Sequence, residues 1–319
     1  MRAIEITRFG GPEVLELATV AEPAAGPDQL LIEVTAAGVN YADILRAAGT
    51  YTGGVELPFV PGSEVAGRTE DGRRMVALTP GGGGYAERAV VRAADALEIP
   101  DKVSDAEALA LLVQGLTAWH LLRRSARLVR GESVVVNAAA GGVGTLAVQL
   151  AREFGAGRVI AAASTEDKRT LALALGADTA IDSDPQGYAE RVRKANGGQP
   201  VDVILDANGG PALPAALPAL AQFGRLISYG DASRQGRPHM DPVLLAEGNL
   251  TVAGFWLRPA LSLPGTYREP LTELLALTAQ GRLRPVTGAG YPLAQASKAF
   301  ADMALRGTTG KVTLRPDLP

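Results

Sequence analysis

The spacing of hydrophobic positions changes along the chain and divides it into stretches of different predicted structure. From Met1 to about Ile99, short apolar runs alternate with Gly and Pro turns, which is typical of a small β-rich domain. One helix is predicted inside this stretch, from Tyr41 to Ala48. From Ser104 the spacing becomes helical, and Ser104 and Glu107 have the spacing of a capping box. The chain therefore begins with strands and then changes to helices.

Residues 133 to about 255 alternate apolar strands with helices. This alternation predicts a parallel sheet that is covered by helices on both faces. The predicted strands are SVVVN, RVIAAAS, TAIDS, VDVILDA, GRLISYG and LTVAGF. Two further helices, PLTELLALTAQG and one around LAQASKAFADMA, precede a final strand, KVTLRP, and this tail could rejoin the first domain. The predicted fold class is α/β with two domains.

The segment SVVVNAAAGGVG at 133–144 predicts a buried strand that runs into a glycine-rich turn opening a helix. Aligned with the fingerprint G-x-G-x-x-G, residues 139–144 have Ala139 in place of the first glycine. At a helix N-terminus, unpaired N–H groups and the helix dipole favour a pyrophosphate, and glycines allow it to approach the backbone. The turn therefore predicts a dinucleotide site. In contrast, the four glycines at 81–84 precede a strand, so we interpret them as a turn.

The end of the second strand of this domain favours NADPH over NADH. An NAD enzyme has an acidic residue there that binds the ribose 2′-hydroxyl, whereas RVIAAAST ends in Ala163, Ser164 and Thr165. Lys168 stands one helical turn further on and could supply a positive charge to a 2′-phosphate. An ordinary solvated helix position is the alternative interpretation of Lys168, and the neighbouring Glu166 and Asp167 weigh against the phosphate.

The composition excludes several kinds of site and partner. The chain has no cysteine and only two histidines, His120 and His239, which excludes disulfides, thiolate nucleophiles and cysteine-ligated zinc. A net charge of −3 with scattered basic residues is untypical of a nucleic-acid binder. No apolar run approaches the roughly 20 residues of a membrane span, and the N-terminus lacks a signal-peptide pattern. We expect a soluble, cytoplasmic protein without a membrane or nucleic-acid partner.

The chain resembles the zinc-free medium-chain dehydrogenases and reductases, specifically the quinone oxidoreductase (zeta-crystallin-like) family. In the family's zinc-dependent relatives a histidine stands where this chain has Ser63, directly before Glu64. The segments that carry the resemblance are AAGVNYADILRAAGTY at 36–51, LPFVPGSEVAG at 57–67, GGYAERAVV at 83–91, QGLTAWHLL at 114–122, NAAAGGVGTLAVQLAREFGA at 137–156, GRLISYG at 224–230 and YPLAQASKAFADMALRGTTGKVTL at 291–314.

The resemblance implies two domains, NADPH as the cofactor, and a homodimer formed through the cofactor domains. Residues 1–113 with 261–319 are expected to form a GroES-like β-barrel domain, and residues 114–260 a Rossmann domain with a doubly wound parallel sheet. Ser183 stands where some members have a tyrosine that contacts the phosphate. The implied cofactor-binding residues are Thr117, Ala139, Gly141, Gly142, Val143, Gly144, Ser164, Lys168, Asn208, Tyr229, Gly230, Phe255, Trp256 and Arg306.

At the substrate end the resemblance implies Asn40, Asp43 and Tyr51 as catalytic residues, with Asn40 and Tyr51 as donors to the acceptor oxygen. Helix capping and dipole stabilisation are alternative explanations of Asn40 and Asp43. The implied activity is metal-free hydride or electron transfer from NADPH to a quinone. Two alternatives stay open: an NADPH-dependent reductase of enone or alkenal double bonds, and a non-catalytic NADPH-binding or sensing protein.

Overall fold

The computed structural model describes residues 1–51, 54–79, 81–236, 238–305 and 307–317. The strands are β1 (Arg2–Glu5), β2 (Glu16–Thr19), β3 (Gln29–Val39), β4 (Glu64–Arg68), β5 (Arg74–Leu78), β6 (Arg88–Arg92), β7 (Leu97–Glu98), β8 (Ser133–Asn137), β9 (Arg158–Ala163), β10 (Thr179–Asp182), β11 (Val201–Asp206), β12 (Leu220–Ser228), β13 (Thr251–Gly254), β14 (Thr287–Pro292) and β15 (Lys311–Arg315). The helices are α1 (Tyr41–Ala47), α2 (Asp105–Ala110), α3 (Leu116–His120), α4 (Gly142–Glu153), α5 (Glu166–Ala174), α6 (Tyr188–Ala195), α7 (Ala212–Ala216), α8 (Pro242–Glu247), α9 (Leu257–Ala260), α10 (Arg268–Ala279) and α11 (Ala296–Ala304).

The first of two compact units comprises residues 1–113, 267–281 and 285–319. Its main sheet has the order β14-β15-β3-β4-β5-β7, with β6 also paired to β3. The C-terminal tail is part of this unit, because β15 runs antiparallel to β3 with Val312 opposite Val39. Val39 and Val312 are fully buried in a hydrophobic core that also contains Tyr85 and Phe300. The β-rich N-terminal stretch and the C-terminal strand therefore share one core.

The second unit comprises residues 114–266 and 282–284. Its sheet has the order β10-β9-β8-β11-β12-β13, and every neighbouring pair is parallel. The central strand β8 is buried along its whole length, as expected for a strand covered on both faces. All the predicted strands of this region are present, so the α/β fold class with a Rossmann-type parallel sheet is confirmed.

The helical stretch that begins after Ser104 has the predicted start and an unpredicted interior. Ser104 N donates to Glu107 Oε2 at 2.8 Å, and Glu107 N donates to Ser104 Oγ at 3.3 Å, which confirms the capping box. Single-turn π segments at Leu111–Gly115 and Leu121–Ser125 interrupt the α-helical geometry. Among the described residues, no helix is both long and apolar enough to span a membrane.

Candidate functional site

The glycine-rich turn connects β8 to α4 in the predicted way. Gly141 is the N-cap residue of α4, and no side chain caps the helix there. A Cβ on Gly144 would lie 2.7 Å from Ala139 Cα and closer still to Ala138 O, so this position admits only glycine while α4 keeps its place against the turn. The first N–H groups of a 12-residue helix are thus left for an anion at the end of the central strand.

Most of the predicted cofactor-binding residues lie just beyond the carboxyl ends of the parallel strands. Because all these strands are parallel, their carboxyl ends meet at one edge of the sheet, where dinucleotides bind in doubly wound folds. Thr117 is instead a buried residue of α3, which packs against α4, and Arg306 lies outside the described residues. The residues at the sheet edge are Ala139, Gly141, Gly142, Val143 and Gly144 after β8, Ser164 and Lys168 after β9, Asn208 after β11, Tyr229 and Gly230 after β12, and Phe255 and Trp256 after β13.

A second basic residue, Arg169 of α5, lies beside the end of β9, and the sequence analysis did not single it out. Arg169 Nη1 donates to Ala163 O at 3.0 Å and lies 3.4 Å from Asp182 Oδ2. Asp182 ends β10 and lies opposite Ala163 in the register of the two strands. Sequence spacing did not reveal that an acidic side chain lies beside the strand end, or that an arginine partly offsets its charge. The sequence feature that could have indicated Arg169 is its position next to Lys168, which makes two consecutive basic residues after β9.

Three buried side-chain oxygens of the second unit have no hydrogen-bond partner within the described part of the chain. They are Gln114 Oε1, Tyr229 Oη and Asp231 Oδ1. The Gln114 carboxamide packs directly against Gly142, and a Cβ there would force the carboxamide to move. Burial, and secondarily the charge of Asp206, raises the pKa of Tyr229 well above its usual value of 10.0. Buried polar atoms are normally paired, so these oxygens fit a polar ligand at the glycine turn and the β12 end.

Asp43 is fully buried in the first unit and accepts three hydrogen bonds. It accepts from Asn40 N at 2.9 Å, from Ser63 Oγ at 2.6 Å and from Tyr85 Oη at 3.0 Å. Burial and the Asp43 charge raise the pKa of Tyr85 well above its usual value, so Tyr85 is a neutral donor to this carboxylate. Asp43 thus orders the start of α1, and a direct role in the reaction stays a prediction.

Asn40 and Tyr51 are both held by charged neighbours. Asn40 Nδ2 donates to Glu64 Oε1 at 3.0 Å, and Asn40 Oδ1 accepts from Lys311 Nζ at 2.9 Å. The guanidinium carbon of Arg46 lies 5.0 Å from the centroid of the Tyr51 ring, within cation–π range. The sequence analysis missed Lys311, which is separated from Asn40 by most of the chain.

Comparison with known proteins places the chain in a family. The model described as the Alcohol dehydrogenase GroES-like domain matches residues 26–101, and that described as Zinc-binding dehydrogenase matches residues 142–276. Human quinone oxidoreductase is 32% identical over 326 residues, which cover 98% of this chain and 97% of the human protein. The quinone oxidoreductase of Pseudomonas aeruginosa is 31% identical, with 99% of both chains covered. The chain belongs to the quinone oxidoreductase family.

Solved structures agree with this family assignment. The quinone oxidoreductase of Thermus thermophilus, solved alone and with NADPH, superposes with a TM-score of 0.89 at 42% identity, covering 99% of this chain and 100% of that one. The Escherichia coli quinone oxidoreductase complexed with NADPH gives a TM-score of 0.91 at 29% identity, with the same coverage. These matches confirm the predicted family and its combination of a GroES-like domain with a Rossmann domain.

The residues of this chain do not fit the zinc that the name of the second family model suggests. The sequence has no cysteine, and the described residues contain no group of three or more His, Cys, Asp or Glu side chains placed to hold a metal. Ser63 donates its hydroxyl hydrogen to Asp43 and accepts from Arg46 Nη1 at 2.8 Å. A zinc site needs a group of three or four protein ligands such as thiolates and imidazoles, and the described residues contain no such group.

Proposed function

We propose that this protein is an NADPH-dependent quinone oxidoreductase that transfers a hydride to a quinone without a metal. The observation that carries the proposal is the uncapped N-terminus of α4 at Gly141–Gly144, in a chain similar over its whole length to quinone oxidoreductases, some solved with NADPH. Among the described residues, the unpartnered oxygens of Gln114 beside this turn and of Tyr229 and Asp231 after β12 support a polar ligand at this edge of the sheet.

In this proposal the second unit binds the cofactor. The N–H groups at the start of α4 bind the pyrophosphate, and Lys168 and Arg169 bind the 2′-phosphate that distinguishes NADPH from NADH. Arg169 is suited to this because the two side-chain contacts seen within the described residues, to Ala163 and Asp182, both use Nη1, and a guanidinium has five N–H donors. When bound, the nicotinamide supplies the hydride.

The first unit is proposed to polarise the acceptor. Asn40 donates an N–H of its carboxamide to the quinone oxygen on which negative charge develops, and Tyr51 is the second donor. Oriented donors of this kind lower the barrier because they are in place before the charge forms. The proton that completes the hydroquinone comes from water, so no buried acid is required. Asp43 orders the helix that begins beside Asn40.

The test is a comparison of kcat/KM for a panel of quinones and enones, with consumption of NADPH as the common signal. We expect higher values for quinones. Higher values for enones would replace this activity with that of a double-bond reductase. If NADPH raises the melting temperature while no acceptor is turned over, the protein is a non-catalytic NADPH binder.

We also propose that the protein is a cytoplasmic homodimer joined through the second unit. β13 ends the order of the six-stranded sheet, and Phe223, Val243 and Leu244 of this unit are exposed apolar side chains. An unpaired strand edge and exposed apolar side chains favour pairing with a second copy. Sedimentation should give twice the chain mass of 32.9 kDa. A monomer at every concentration would contradict the dimer, and cell fractionation tests the location.

A further inference from the structure

Glu64 and Lys311 form an ion pair that is completely removed from solvent in the first unit. The Lys311 ammonium lies against three acceptors: Glu64 Oε1, Asn40 Oδ1 at 2.9 Å and Val39 O at 3.4 Å. Glu64 Oε2 accepts from Val113 N at 3.1 Å. Each of the three ammonium hydrogens thus has an acceptor, and both carboxylate oxygens are used.

The backbone makes room for this pair at Gly38 of β3. A Cβ on Gly38 would lie 2.6 Å from Lys311 Cε and 2.8 Å from Glu64 Cδ. Stability alone does not account for such an arrangement, because neutral residues of similar size often replace a buried ion pair at no cost. The feature to be explained is that both charges meet the same carboxamide.

The pair determines which way the Asn40 carboxamide faces. Its oxygen accepts from the ammonium, and its nitrogen donates to the carboxylate. A flipped carboxamide would place NH₂ against the ammonium and the oxygen against the carboxylate, and both contacts would be repulsive. The observed orientation leaves one Nδ2 hydrogen that Glu64 does not use, since an amide nitrogen carries two.

We propose that the Glu64–Lys311 pair is a positioning device, which fixes the Asn40 carboxamide so that its second Nδ2 hydrogen is presented to the acceptor oxygen. The inference rests on the donor role of Asn40 in the proposed function. Neither charged group touches the acceptor in this account. Both act through Asn40, which directly follows β3. Lys311 of the C-terminal strand β15 and Glu64 of β4 therefore contribute to the reaction indirectly.

The test replaces both charges together, with Glu64→Gln and Lys311→Met in one protein. Removing both avoids an unpaired buried charge, so the variant is expected to fold. The carboxamide then loses its ammonium partner and is free to turn and shift away from the direction in which its second Nδ2 hydrogen is presented. We expect kcat to fall about tenfold or more, as for a misplaced reacting group, while the dissociation constant for NADPH, read from tryptophan fluorescence, is unchanged. Val312→Ala is the matched control on β15: it should lower the melting temperature and leave kcat as it was.

A double-mutant cycle with Asn40→Ala separates positioning from general destabilisation. If the pair acts through Asn40, the paired substitution should lower kcat in the parent and have no further effect in the Asn40→Ala background. Two results would overturn the positioning role and leave the donor role of Asn40 intact. One is an equal loss of kcat in both backgrounds, and the other is a parental kcat for the Glu64→Gln/Lys311→Met protein although Asn40→Ala is impaired. A parental kcat for Asn40→Ala would remove the donor role as well. Asn40→Ser, which keeps a capping residue, serves if the alanine variant does not fold.

Discussion

Gly144→Ala is expected to destabilise the second unit and weaken its binding of NADPH. The added Cβ would lie 2.7 Å from Ala139 Cα and closer still to Ala138 O, whereas ordinary contacts begin at 3.4 Å, so α4 must move from the turn by more than about 0.7 Å. The obstructing atoms belong to the backbone and cannot rotate away. Overpacking of this kind costs about 1–3 kcal/mol of unfolding free energy. The displaced N–H groups should also raise the dissociation constant for NADPH, about tenfold by the usual cost of misplacement.

Urea unfolding followed by tryptophan fluorescence measures this effect in the correct unit, because both tryptophans, Trp119 and Trp256, belong to it. The matched control for stability is Gly141→Ala in the same turn. A Cβ there would lie 3.2 Å from Ala138 O, with no other described atom within 4 Å, and the backbone has an ordinary φ of −77°. Its loss of stability should be under about 1 kcal/mol, in the range of a small local adjustment. Equal losses for the two variants, or none for Gly144→Ala, would refute the steric reasoning.

Three further predictions concern other parts of the second unit. Arg169→Gln should raise the dissociation constant for NADPH by about tenfold or more, because it removes a charge-assisted hydrogen bond, and should change the dissociation constant for NADH by less than about twofold. Arg158→Gln, at the other end of β9, is the control. Equal effects of Arg169→Gln on both cofactors would contradict the assignment. Ala138→Gly should raise the free energy of unfolding by about 0.5–1 kcal/mol, since Ala138 has a φ of 52° where a Cβ is strained; an unchanged or lower value would contradict this. Burial lowers the pKa of His120 below its usual 6.5, so the unfolded chain binds the proton first and stability falls as the pH drops through that value. His120→Gln should reduce this fall in urea unfolding, and an unchanged pH dependence would show that another group is responsible.

The sequence predicted structure most reliably where all the residues that determine a feature lie in one short segment. The capping box at Ser104 needs a partner three residues away, and the turn at Gly141–Gly144 needs only a strand before it and a helix after it. Both are confirmed. Because the strands are parallel and separated by helices, the residues that follow each strand share one edge of the sheet. Most of the predicted cofactor-binding residues therefore lie at that edge, Thr117 of α3 being an exception, and their roles stay predictions.

Contacts between distant segments were not predictable in this way. Arg169 has the spacing of an ordinary residue of α5, and its importance depends on the register that brings Asp182 beside Ala163. Tyr85 follows the glycine turn at 81–84, and nothing in its neighbourhood indicates that its hydroxyl reaches Asp43. The register of strands and the direction of a buried side chain are set by the complete core, not by local spacing.

The buried pair shows how three positions that look unrelated in the sequence depend on one another. In the sequence, Gly38 reads as a glycine that weakens the interior of a long strand. Glu64 begins a strand after a Pro-Gly turn, and Lys311 begins the last strand, where a lysine is normally solvated. They are connected by the sheet. β15 and β4 pair with β3 from its two sides, so their first residues, Lys311 and Glu64, meet over Gly38 of β3. A Cβ at position 38 would displace the Glu64 and Lys311 side chains, and without the pair in place the Asn40 carboxamide would have no fixed direction. The glycine in β3 is therefore as much a part of the proposed oxygen-binding arrangement as the carboxamide it lies beside.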